Sequence, residues 1–120
     1  MKKLTCLVVL AVLASPAWAE CTYPKAPTKF PSGKSATKDE MLAAMKVNKT
    51  YQTDVSTYQQ CLKTEHDDAL AKGGTTMTDD QKQAITKRYI QKNDAAVDEA
   101  AKVAERFNEQ VRVFNAKDKK

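Results

Sequence analysis

The feature that most constrains this chain is a glycine pair, Gly73-Gly74, set between two long stretches with apolar residues every three or four positions. Before it, Met41, Ala44, Met45, Asn48, Tyr51, Val55, Tyr58, Leu62, His66 and Ala69 trace one stripe of a helix about nine turns long. After it, Ile85, Tyr89, Asn93, Ala96, Ala100, Val103, Phe107, Val111 and Phe114 trace a second stripe, widened by Ile90, Val97, Ala101 and Ala104. Thr37-Lys38-Asp39-Glu40 and Thr78-Asp79-Asp80-Gln81 both fit the capping box, in which the N-cap and the third residue satisfy each other's backbone N–H groups. Lys72 followed by two glycines is a stop signal. Strand-like alternation of useful length is absent from the sequence. The fold class is therefore all-α, with helices predicted at about 38–72 and 79–116.

Two helices of similar length joined by a short glycine turn are expected to lie antiparallel as a hairpin. Counting outward from Gly74 places opposite one another residues whose numbers sum to roughly 149. Tyr58 then falls near Tyr89 and Ile90, Tyr51 near Val97, and Met41 and Met45 near Phe107 and Val103.

The N-terminus has the layout of a secretory signal peptide. Lys2 and Lys3 precede an apolar run from Leu4 to Ala14, and Ala17-Trp18-Ala19 supplies small residues at −3 and −1. Cleavage is expected between Ala19 and Glu20, and the run is too short for a membrane anchor. A lipoprotein at Cys21 is disfavoured, because Glu20 stands where a small residue is required. The expected location is the periplasm or the medium, with no membrane association after cleavage. The chain carries 20 basic and 15 acidic residues; without Lys2 and Lys3 the excess falls to 18 against 15 and is dispersed. No basic stripe with interleaved aromatics appears, so nucleic acid is not an expected partner. The dense run Lys117-Asp118-Lys119-Lys120 reads as a solvated basic tail, 117–120.

Cys6 leaves with the signal, so Cys21 and Cys61 have one intramolecular pairing in an oxidising compartment. In the chain-entropy picture a loop of this length contributes about 4 kcal/mol. Between Cys21 and Ala36, Pro24, Pro27, Pro31 and Gly33 predict an extended, polyproline-like strap over residues 20–36. Cys61 lies about 36 Å down the first helix from Thr37, and the strap reaches about 50 Å. The strap therefore has the length to run beside the hairpin, antiparallel to the first half of helix 1, with Tyr23, Pro24, Pro27 and Phe30 over apolar surface. Reduction is expected to release 21–36 first, with most helicity kept. The pair reads as structural.

Little in the sequence carries chemistry. Gly33-Lys34-Ser35 resembles the end of a phosphate-binding loop, but Thr28 stands where the first glycine belongs and no strand precedes it. His66 is the only histidine, and Leu62 and Leu70 occupy both positions one turn away, so zinc is poorly supplied with ligands. It reads as the edge of the apolar stripe. No catalytic triad or dyad is credible with one histidine and paired cysteines. Asp68 with Lys72 and Asp98 with Lys102 have the spacing of helical ion pairs. No catalytic residue, cofactor or metal is expected, and the chain reads as a non-enzyme. Asn48 and Asn93 interrupt the stripes; they either fix register or oligomer state, or lie at the stripe edge.

Pro31-Ser32-Gly33-Lys34-Ser35-Ala36-Thr37, Glu40-Met41, Tyr58-Gln59-Gln60-Cys61-Leu62 and the run Val103-Ala104-Glu105-Arg106-Phe107-Asn108-Glu109-Gln110-Val111-Arg112 occur together. In that combination the chain resembles a group of small exported proteobacterial helical proteins with no known activity. The resemblance implies export and one compact unit, and no site residues.

The function expected from these features is a protein-interaction or self-associating helical module, coiled-coil in character. A chaperone holding unfolded clients and a cationic protein bound to envelope lipid are the alternatives.

Overall fold

The computed structural model describes residues 20–119; the predicted signal segment and its cleavage junction after Ala19 fall outside this range. Helix α1 spans Lys38–Gly73, a single 3-10 turn spans Gly74–Thr76, and α2 spans Asp79–Lys117. Among the described residues there is no strand. Both capping boxes are formed. Thr37 N donates to Glu40 Oε2 at 2.7 Å and Glu40 N returns to Thr37 Oγ1 at 3.2 Å. Thr78 and Gln81 repeat the exchange at 2.9 and 3.2 Å. Each box satisfies two backbone donors that a helix start would otherwise leave orphaned.

The helices form an antiparallel hairpin, and the apolar stripes meet as expected. Tyr51, Val55, Tyr58 and Leu62 of α1 pack on Ala96, Ala100 and Val103 of α2. Val103 is completely enclosed. Nearer the open end, Met41 and Ala44 meet Phe107, with Ala36 buried beside them. Phe30 touches both clusters.

The register differs from the expected one. Gln52 Nε2 donates to the Ala100 carbonyl at 3.2 Å, Gln59 Nε2 to Asn93 Oδ1 at 3.0 Å, and His66 Nε2 lies 3.0 Å from Thr86 Oγ1. In all three pairs the residue numbers sum to 152, not 149. The cause is the connection. Gly73 stays helical, Gly74 turns at φ +53°, ψ −146°, and the 3-10 turn adds residues before the Thr78 cap. That backbone conformation is nearly confined to glycine. The hairpin axis thus passes through Thr76, beyond Gly74. The shift is less than one helical turn, so the stripes still meet, but their margins move outward. Met45, Ile90 and Val97, read from sequence as stripe members, are 43–48% exposed.

Cys21 and Cys61 are disulfide-bonded, with Cα atoms 5.7 Å apart. The strap runs antiparallel to α1, as the chain lengths require. Its polar contacts go to α2, which the sequence did not indicate. Tyr23 Oη donates to Glu99 at 2.7 Å, Arg106 donates to the carbonyls of Pro27 and Thr28 at 3.1 and 3.3 Å, and Gly33 N donates to Gln110 Oε1 at 2.9 Å. Lys117 Nζ closes the series on the Ala36 carbonyl at 2.8 Å and lies over the Phe114 ring. Lys117 therefore ends α2 and anchors the strap, and is not part of a solvated tail. The strap lies in the groove between the helices as a third element. Gly33 is what lets it approach. A Cβ there would sit 2.3 Å from the Gln110 carbonyl oxygen and 2.7 Å from Phe114 N, inside any real contact distance.

Candidate protein-interaction face

Two residues apart on a helix means about 200° apart around it, so such a pair falls on opposite flanks of the core stripe. This sorts the hairpin into two sides. On α1, Val47, Asp54 and Cys61, seven apart, face the strap: Val47 and Asp54 line clefts with strap residues, and Cys61 carries the disulfide. On α2, Glu99 and Arg106, also seven apart, hold the strap by hydrogen bonds. Two positions earlier in each case lie Met45, Gln52 and Gln59 on α1, and Val97 and Ala104 on α2. These line the other groove, which no strap enters.

The open groove has a polar ladder along its floor. Gln52, Gln59 and His66 step by seven along α1, and their partners Ala100, Asn93 and Thr86 step by seven along α2. A seven-residue step returns each rung to nearly the same face. Within α1, Gln52 also reaches Asn48 Oδ1, at 3.5 Å. Asn93 thus pairs the helices, while Asn48 supports a rung from its own helix. Such pairing is specific to one register, because a slip by one residue leaves the amides unmatched. Outside the ladder the groove carries Met45 at one end and Ile90 and Val97 along α2, all exposed.

His66 sits at the last rung. Its Nδ1 is 3.1 Å from Asp67 Oδ1, its ring centroid is 5.0 Å from that of Tyr89, and its side chain is 17% exposed. An ionised Asp67 only accepts, so Nδ1–H donates to it and Nε2 accepts from the Thr86 hydroxyl. Lys63, at 2.6 Å, holds the Asp67 carboxyl below its usual range, with His66 adding to the effect. His66 is thus a hydrogen-bonded wedge between the helices, as its place at the stripe edge suggests. Among the described residues no group of three or more His, Cys, Asp or Glu is placed to hold a metal ion. Gly33-Lys34-Ser35 forms the turn that seats the strap on α2.

Beyond Cys21 the strap's own groove is left unfilled. Leu62, Ala69, Ile85 and Tyr89 border a small cleft of about 80 Å³, bridged by the Glu65–Lys92 ion pair at 3.5 Å. Under the strap, Tyr51 Oη is buried without a hydrogen-bond partner, and burial pushes this phenol up. The Glu99 carboxylate raises Tyr23 further, to about 12, chiefly because the phenol donates to it.

Several of these residues were missed in the sequence. Glu99, Arg106, Gln110 and Lys117 look like solvated charge and amide positions, although their spacings of seven, four and seven form a second stripe. Gln52 and Gln59 were equally silent until paired with Asn93 and Ala100. The Asp98–Lys102 ion pair suggested by spacing is not formed. No helix of the described residues is long and apolar enough to cross a membrane. Comparison with family models, curated proteins and solved structures finds no match to this chain.

Proposed function

We propose that this chain is an exported, non-enzymatic protein-interaction module of the periplasm: a coiled-coil-like hairpin whose strap-free groove receives a protein partner. One observation carries the reading. The strap fills one groove between the helices, while the opposite groove keeps Met45, Ile90 and Val97 exposed beside a ladder that fixes the register. Exposed apolar residues grouped along one helical seam mark docking surfaces more often than scattered ones do. The seven-residue step of the ladder suits a partner that is itself helical.

The test is site-specific cross-linking from Val97 and from a control on the strap side, Lys25, combined with solution mass. Cross-links from Val97 alone support the reading. A strict monomer with no cross-link from Val97, Ile90 or Met45 removes it.

Leu42 and Met45, three apart near the start of α1, are both more than 40% exposed and favour a second reading as a holding chaperone. Failure to slow aggregation of a denatured client at equimolar protein discards that alternative.

A further inference from the structure

The strap is held in two unlike ways. From Glu20 to Thr28 it is seated at single points, with Pro24 buried and Cys21 and Ala26 against the core, and exposed residues between them. Tyr23 is 46% exposed and meets Tyr58 only edge-on, with ring centroids 5.2 Å apart. Arg106 reaches the carbonyls of Pro27 and Thr28 from an exposed position. Exposed hydrogen bonds of this kind add little net stability, because water replaces them readily. This stretch also borders two open clefts. One, of about 480 Å³, lies between Lys25–Thr28 and the α1 stretch around Tyr51; the other, of about 360 Å³, lies beside the disulfide. From Phe30 to Ala36 the seating is different. Phe30 packs against Phe107 with centroids 5.3 Å apart, Gly33 is buried with its N–H on Gln110, and Ala36 is 4% exposed beneath Lys117. This second stretch also leads directly into the Thr37 cap.

We propose that the Cys21–Cys61 bond is a redox latch on the first half of the strap alone: opening it frees residues 20–28 and uncovers Tyr51 and Tyr58, while residues 30–36 stay seated. This is narrower than release of the whole strap, and it makes the covered groove conditional on redox state. The cleft beside the bond gives a reductant access, and both cysteines are only partly buried. The reductant is taken as a dithiol, whose second thiol resolves the mixed disulfide without a further reactant. One thiolate of the dithiol attacks a sulfur of the bond, forming a mixed disulfide and releasing the other cysteine as a thiolate, which takes up a proton. The second thiol of the reductant then displaces the mixed disulfide. Two electrons and two protons pass to the cysteine pair, and the dithiol leaves as its own disulfide.

The test is trypsin cleavage after Lys25, read beside amide hydrogen exchange of 33–37 and the helices, for the mature chain oxidised, after treatment with dithiothreitol, and as the Cys21→Ser variant. Cleavage after Lys25 is expected to quicken at least about tenfold, with exchange in 33–37 and both helices changing by less than about twofold. A hydrophobic dye should bind the reduced chain more strongly than the oxidised one. Equal release of 33–36, unchanged cleavage after Lys25, or loss of helix protection would each overturn the proposal. Cys21→Ser must reproduce the reduced pattern, since disagreement between the two would mean that the bond is not the latch.

Discussion

The two ends of this hairpin are built from the same helices and the same polar ladder, yet only one has a core. The half that the strap covers, roughly residues 37–61 with 96–117, holds every fully buried residue of α2 and all of those of α1 except Leu62 at its edge. In the bare half nothing beyond Leu62 on α1, and nothing before Ala96 on α2, is fully buried. Ala69, Ile85 and Tyr89 are apolar and correctly placed, but they remain partly wet. Two helices leave a groove on either side of their contact, and side chains at the margin of the stripe stay in water. A third element of some sixteen residues, with no regular secondary structure, converts one groove into an interior.

This comparison can be broken most directly in the core. Phe107→Ala is expected to lower stability by about 3 kcal/mol, while Ile90→Ala in the bare half changes it by less than about 1 kcal/mol. Urea denaturation of both variants reads the difference, and equal costs would mean that the strap does not divide the molecule. Glycines give the next largest contrast. Gly33→Ala forces strap and α2 apart and is expected to cost about 2 kcal/mol. Gly74→Ala meets no neighbouring atom and suffers only from its backbone angle, about 1 kcal/mol, felt at the turn. Hydrogen exchange distinguishes the two, with loss near residues 33–36 in one and near 70–80 in the other.

The ladder gives a smaller effect. Gln59→Ala and Asn93→Ala should each cost about 1 kcal/mol, and the double variant should cost less than their sum. Strict additivity would show that the rung is proximity without coupling.

The smallest effect concerns pH. The folded pKa of Tyr23, about 12, lies above the ordinary value of 10. Its hydrogen bond to Glu99 therefore stabilises fully below pH 10 and is lost as pH rises from 10 through 12. Because Tyr23 is half exposed, water screens most of the gain. Absorbance titration near 295 nm should show the late-ionising component reduced in Tyr23→Phe.

The fold was legible where its causes are local. Thr37 and Thr78 announce helix starts through hydrogen bonds within four residues, Gly74 announces an end through its backbone freedom, and the stripes announce which faces meet. The span between Thr37 and Cys61 placed the strap along α1. The register was not legible, because it depends on how Gly74 and the following 3-10 turn are disposed in space. Nor was the strap's second wall. Arg106 and Gln110 look like surface residues until the chain returns from Pro27 and Gly33 to meet them, nearly 80 positions away in sequence. The candidate groove was visible only in part: Asn93 stood out as a polar interruption, while Met45, Ile90 and Val97 read as core.

The position of the disulfide has a topological consequence. It joins two residues that both precede Gly73, and so closes a ring containing the strap and the first two-thirds of α1. Helix α2 lies outside that ring, tethered only through residues 74–78. A single cut there would divide the oxidised molecule into a cyclic fragment and a free helix with no covalent link between them. The cyclic fragment would carry the strap carbonyls, the Gly33 amide and the α1 stripe, the partners that α2 uses, in one covalent ring. Remixing the two fragments would turn the stability of the hairpin into a dissociation constant, and repeating the titration with the ring opened would give the strap's share as a ratio of two affinities.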